Sequence, residues 1–91
     1  MRRVIWSDQA FEQLEAIATY VRADSPVAAA RLEARVVEKA DSLIIMPDRG
    51  RLISRGRRLI AVTRVYHLCY VVLGHEVRIL SVRHAARRPE S

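Results

Sequence analysis

A chain of 91 residues has room for one domain and no second core. Its single cysteine, Cys69, excludes an internal disulfide and a cysteine-based metal site, and the longest apolar run near the C-terminus, residues 68–73, falls far short of the ~20 residues that span a bilayer. The net charge of +6 is uneven: residues 1–48 hold six basic against eight acidic side chains, net −2, while residues 49–91 hold ten arginines against two glutamates, net +8. All the basic residues except Lys39 are arginine, the side chain that pairs bidentately with carboxylates and phosphates. A basic half of this kind calls for an acidic partner, either nucleic acid or an acidic protein segment. A chain this short buries only about 60–65% of its unfolded surface, so a hydrophobic content of 51% leaves apolar surface for a partner. The lone thiol, with no signal peptide ahead of it, points to a reducing cytoplasm.

In chain order, RRVIWS predicts a short opening strand with Val4 and Trp6 on one face. Ser7 is a helix N-cap, followed by Asp8 and Glu12 near the positive end of the helix. Phe11, Leu14, Ala18 and Val21, flanked by Ala10 and Ile17, recur at helical spacing as its apolar stripe. Ser25 and Pro26 then open a second helix, with Leu32, Val36, Ala40 and Leu43 on one stripe and Val37 and Ile44 beside it. Pro47 is expected to stop that helix by disfavouring α geometry at Met46. Only residues 23–25 separate the two helices, which predicts an antiparallel hairpin. After an arginine-rich connector the period changes: residues 59–63, 65–73 and 76–84 read as strands of an antiparallel meander, with Gly74-His75 as a tight turn. The expected order is β-α-α-β-β-β, an α+β domain with a helix pair over one sheet face, spanning residues 1–91 with a flexible tail from 84 to 91.

The connector MPDRGRLISRGRRLIAV concentrates Arg49, Arg51, Arg55, Arg57 and Arg58 between two apolar stretches. Four uses fit that charge: a solvated loop, a nucleic-acid grip, a site for an acidic protein, or a catalytic patch for phosphate chemistry. Gly50 and Gly56 are isolated turn residues, not a phosphate-cradling loop. His84 is a candidate acid or base, since an unperturbed imidazole titrates at ~6.5, but no adjoining Ser, Asp or Glu completes a triad. His67 lies mid-strand and His75 in a turn; three histidines this far apart on different elements do not read as a metal site. Cys69 reads as a small strand hydrophobe, and Tyr66 and Tyr70 share a face suited to packing under the helices. No cofactor or metal is expected.

The order of elements and their punctuation resemble the RelE/ParE superfamily of toxins from type II toxin–antitoxin pairs. The likeness rests on Trp6-Ser7 before a helix bearing Ala10, Leu14, Ile17 and Tyr20, and on SPVAAARL opening the second helix. It continues through Leu43 to Arg51, Gly56 to Val62, Tyr66 to Val72 and Ile79 to Arg87, so it covers nearly the whole chain. The pieces P..GR, GRRLIAV and V.HAAR favour the ParE branch, whose characterised members stabilise a cleaved DNA–gyrase state without being enzymes. That branch usually places an acidic residue after the arginine corresponding to Arg57, where this chain has Arg58. The resemblance therefore implies binding of target or antitoxin by Arg49, Arg51, Arg55, Arg57, Arg58, Arg83, His84, Arg87 and Arg88. The alternative is the RelE branch, which cuts mRNA on the ribosome; here its catalytic set would be His84 and Arg87, with His67 in place of the usual strand arginine. No tyrosine follows Tyr70, so the terminal tyrosine of that branch is absent. A small basic nucleic-acid-binding domain is a third reading, without a helix-turn-helix signature or interleaved aromatics. The toxin readings imply a cognate antitoxin of the ParD kind, an acidic disordered segment that folds on binding, and a toxin–antitoxin hetero-oligomer.

Overall fold

The structure is a computed structural model that describes residues 2–86. Strand β1 (Arg3–Trp6) leads into α1 (Asp8–Asp24) and α2 (Pro26–Ser42), followed by β2 (Arg51–Leu52), β3 (Arg57–Ala61), β4 (Tyr66–Leu73) and β5 (Glu76–His84). The strands form one sheet in the order β1-β5-β4-β3-β2, antiparallel except that β1 lies parallel to β5. The helix hairpin covers one face, giving the expected α+β architecture. Among the described residues no helix is long and apolar enough to cross a membrane.

Two serines organise the helices. The Ser7 hydroxyl accepts the Ala10 amide at 3.0 Å, capping α1, and donates to the Leu80 carbonyl at 3.1 Å, fastening the helix start to β5. Ser25 alone separates α1 from α2, a tighter link than the residues 23–25 expected. Its amide donates to the Val21 carbonyl at 2.9 Å and its hydroxyl accepts the Ala28 amide at 3.1 Å, so one residue closes one helix and opens the next. Pro26 follows at the first helical position, where a missing N–H leaves nothing unpaired.

The second helix stops at Ser42, before Pro47 can act on it. The Leu43 amide reaches back three residues to Ala40 and Ile44 to Asp41, both at 3.1 Å, tightening the end into a turn. The Ser42 hydroxyl competes for the helix by donating to the Lys39 carbonyl at 2.7 Å. Leu43, fully buried, leaves the helix as part of the core.

That core lies between hairpin and sheet. Ala10, Leu14, Val36, Ala40 and Leu43 meet Val62, Leu68, Tyr70, Val77, Ile79 and Val82. The small alanines let the helices approach the sheet closely, and Trp6 and Leu32 pack at the margin. Phe11 and Val37 fall off the stripes expected of them and stay exposed, because the buried arc of α1 centres on Ala10, Leu14 and Ala18, and that of α2 on Ala29, Val36 and Ala40.

Three further features depart from the sequence reading. The connector contains β2, so the sheet has five strands where four were expected, and β3 begins at Arg57 instead of residue 59. A register shift pairs Cys69 with Ser81 but Tyr70 with Ile79, so Leu80 is an extra residue in β5. It turns Ile79 and Val82 to the same, helix-covered side, which explains the imperfect alternation of EVRILSVRH. The groups freed at this bulge are taken by α1: Ser7 donates to the Leu80 carbonyl, and the Gln13 side-chain oxygen accepts the Val82 amide at 2.8 Å. Lastly, His84 belongs to β5, and Ala85 donates to the Val65 carbonyl at 2.6 Å, so the expected tail from 84 begins too early. Residues 87–91 lie outside the described residues.

Candidate functional site

Residues paired across neighbouring strands project to the same side of a sheet, so the register sorts the arginines. Arg51, Leu59, Cys69 and Ser81 form one row across β2, β3, β4 and β5. Ala61, His67 and Arg83 form the next. On the other side of the first row lie Arg57, Val71, Arg78 and Ile5. The intervening positions, including Leu68, Tyr70, Ile79 and Val82, face the helices. Arg3, Arg51, Arg57, Arg78 and Arg83 therefore share the helix-free face, together with Glu76, which pairs with Arg3 and Arg78. Arg78 was not anticipated as a site residue; alternation outward from the turn at Gly74-His75 is the signal that finds it.

Hydrogen bonds orient Arg3, Arg57, Arg78 and Arg83. Arg57 donates through Nη2 to the Ser54 hydroxyl at 2.9 Å, an arrangement set by the turn in which Arg55 and Gly56 take φ of 53° and 76°. Arg83 donates Nε to the Ser81 hydroxyl at 3.0 Å. Arg78 donates Nε at 2.8 Å to Glu76, which also accepts from Arg3 at 3.2 Å. Hydrogen bonds from Arg78 and then Arg3 hold the Glu76 carboxyl below its usual range.

His67 sits beside Arg83 in the strand register. Burial first, then the positive charges of Arg83 and Arg51 and the influence of His84, hold its pKa below the ordinary 6.5. Its ring is therefore neutral at pH 7, able to take a proton but a poor donor of one. Its Nε2 is buried, with no hydrogen-bond partner among the described residues. His84 lies on the helix side of the strand end: its ring meets Tyr66 edge-on with centroids 5.6 Å apart, and its Nδ1 accepts the Ala86 amide at 3.1 Å. The structure thus separates the two histidines onto opposite sides of the sheet.

The rest of the arginine connector has a structural task. Tyr70 is fully buried; its hydroxyl donates to the Pro47 carbonyl at 2.7 Å and accepts the Gly50 amide at 2.9 Å. Burial pushes the phenol pKa up. A Cβ on residue 50 would stand 2.7 Å from that hydroxyl, so the close approach requires glycine. Arg58, paired with Tyr70 across β3 and β4, donates to the carbonyls of Gly50 at 2.8 Å and Asp48 at 3.3 Å. It clamps the connector and does not join the arginines of the helix-free face. Arg49 donates to the Ser42 hydroxyl at 2.9 Å, on the α2 side. Arg55 projects from the exposed turn. Arg87 and Arg88 lie outside the described residues. Among the described residues no group of three or more His, Cys, Asp or Glu could hold a metal ion.

A family model described as the ParE toxin of the type II toxin–antitoxin system parDE matches residues 4–89. The chain belongs to the ParE toxin family. This ParE-family chain is 40% identical over 87 residues to Toxin RelE2 of Caulobacter vibrioides, covering 96% of this chain and 99% of that one. A relative from Sinorhizobium fredii is 35% identical over 86 residues, covering 92% and 88% of the two chains. Among solved structures, a chain of the chromosomal ParDE toxin–antitoxin system from P. aeruginosa superposes with a TM-score of 0.78 at 25% identity, covering 92% of this chain and 96% of its own. The protein is a type II toxin of the RelE/ParE superfamily, and membership in such a system implies a cognate antitoxin.

Proposed function

We propose that this ParE-family toxin acts by binding, not by covalent chemistry: its helix-free sheet face engages DNA gyrase in the cytoplasm, stabilises a cleaved DNA–gyrase state and blocks replication. The observation that carries this reading is the gathering of Arg51, Arg57, Arg78 and Arg83 on the face the helices leave uncovered. Such a platform supplies electrostatic complementarity to an acidic surface without an arranged acid–base pair. The position of His84 on the helix side of the sheet, away from that face, supports the same view. In the resting cell an acidic antitoxin segment, disordered alone and folding on contact, would hold the toxin inactive.

Supercoiling by purified gyrase tests this. Arg57→Glu and Arg83→Glu each should weaken inhibition by at least about tenfold, while His84→Ala changes it little. Inhibition unaltered in both arginine variants would remove the face from the mechanism.

The grouping of Arg51, His67 and Arg83 favours one second reading, a RelE-like endonuclease acting on ribosome-bound mRNA. A neutral His67 would take the ribose 2′-OH proton as the 2′-oxygen attacks phosphorus, the guanidiniums would stabilise the phosphorane, and the P–O5′ bond would break with the 5′-oxygen taking a proton from water. Induction in cells separates the two. A DNA-damage response with replication arrest belongs to the first; immediate translation arrest with mRNA cut at ribosome-bound codons, abolished by His67→Gln, belongs to the second.

A further inference from the structure

A second cationic feature lies away from the sheet face. The last turns of α2 and the end of β3 enclose an open cleft of about 380 Å³, lined by Arg35, Glu38, Lys39, Ser42, Arg49 and Val62. Arg35 and Lys39 are four residues apart and so rise on one side of the helix. Arg49 reaches the cleft from the connector, held by its 2.9 Å bond to the Ser42 hydroxyl, which is itself turned by its bond to the Lys39 carbonyl. Three cations thus face one carboxylate, Glu38, and among the described residues none of the three lies within 4 Å of a carboxylate oxygen. Val62 is the apolar residue of its lining. The turn between Ser42 and Arg49 also exposes Ile45 at 81% and Met46 at 55%.

Resting on the toxin–antitoxin reading, we propose that this cleft is the anchor for an acidic segment of the cognate antitoxin. Its carboxylates seat among Arg35, Lys39 and Arg49, and its apolar side chains cover Ile45 and Met46. Cations without a carboxylate partner are open to those of the antitoxin, and Arg49, already held by Ser42, loses little side-chain freedom in meeting one. Exposed Ile45 and Met46, in the turn between two cleft-lining residues, Ser42 and Arg49, favour a polypeptide over nucleic acid, whose phosphates gain nothing from isoleucine and methionine, and no aromatic ring is among the cleft's lining residues for base stacking. The anchor lies on the helix side, so the antitoxin can hold the toxin here whether or not it also crosses the arginine face.

The test uses the full-length toxin and, as antitoxin, the protein whose co-expression restores growth. Binding is titrated for wild type, for Arg35→Glu with Lys39→Glu, and for Arg57→Glu as a sheet-face comparison, each checked by circular dichroism. Loss of at least about 30-fold in affinity in the double variant, with a weaker salt dependence, is the expected result. Recovery of affinity when an antitoxin Glu or Asp is changed to Lys against the double variant would place the pair directly. Binding within twofold of wild type overturns the proposal while leaving the toxin–antitoxin reading intact. Should a folded double variant bind normally yet lose a chemical-shift response to inorganic phosphate shown by wild type, the cleft is a phosphate site and the proposal also fails. If no co-expressed protein restores growth or binds wild type, the toxin–antitoxin reading itself falls, and the anchor with it.

Discussion

One sheet presents two chemistries on its two sides. Beneath the helices, Leu68, Tyr70, Val77 and Ile79 are fully buried, and the polar hydroxyl of Tyr70 is satisfied by two backbone groups. On the other side, the sheet offers Arg51, Arg57, Arg78 and Arg83, paired in register with Leu59, Val71, Val71 and His67 respectively. The period-two geometry of strands makes this division, so a substitution on one side should move stability and on the other function. The bulge at Leu80 is what keeps the division clean along β5: without the extra residue, Val82 would exchange places with a polar neighbour.

Experiments that break this contrast begin with the covered side. Ile79→Ala, at a fully buried position, should lower unfolding free energy by about 3 kcal/mol, measured by urea denaturation. Gly50→Ala should cost about 2–3 kcal/mol, because the new methyl meets the Tyr70 ring and hydroxyl, which have packed neighbours on every side. Tyr70→Phe removes both bonds of the hydroxyl and should cost about 1–2 kcal/mol, less than the glycine change because the packing survives. On the other side, Arg57→Ala should alter stability by no more than about 0.5 kcal/mol, so that any loss of toxicity reads as loss of contact. Equal destabilisation by Arg57→Ala and Ile79→Ala would erase the distinction between faces.

The finest effect is a pH dependence. His67 binds its proton less readily folded than unfolded, so its contribution is present above about 6.5, the unfolded value, and is lost as pH falls toward the lower folded value. A histidine NMR titration should place the His67 midpoint below 6.5. Arg83→Ala should raise that midpoint only in part, since burial is the larger cause. A midpoint at or above 6.5 in the wild type would contradict the placement of the ring.

The helical half was readable in the sequence because its signals are local: Ser7 and Ser25 cap, Pro26 opens, and Leu14, Val36 and Ala40 recur at helical spacing. The meander was readable from β-branched residues and the Gly74 turn, where φ of 60° suits glycine. What escaped depends on partners distant in the chain. A strand as short as Arg51–Leu52 has no period of its own and exists through pairing with β3. Leu80 looks like any strand leucine until Ser7 and Gln13 are seen to receive the groups beside it. The arginines were legible as a charge excess, yet composition cannot tell Arg57, on the sheet face, from Arg58, bound to the carbonyls of Asp48 and Gly50. Arg35 and Lys39 went unremarked because a basic pair on a helix surface gains meaning only when Arg49 is brought to the same cleft.

The parallel pairing of β1 with β5 also bears on when the molecule can be completed. Arg3 through Trp6 are synthesised well before their neighbours, Glu76 through Ile79, and cannot pair until those residues have emerged. The helix hairpin can assemble during translation, whereas the opening strand must wait with its backbone groups in water. A chain truncated before residue 76 would lack β5 and with it Arg78 and Arg83, so an unfinished product of the gene would carry neither the full sheet nor its complete charged platform.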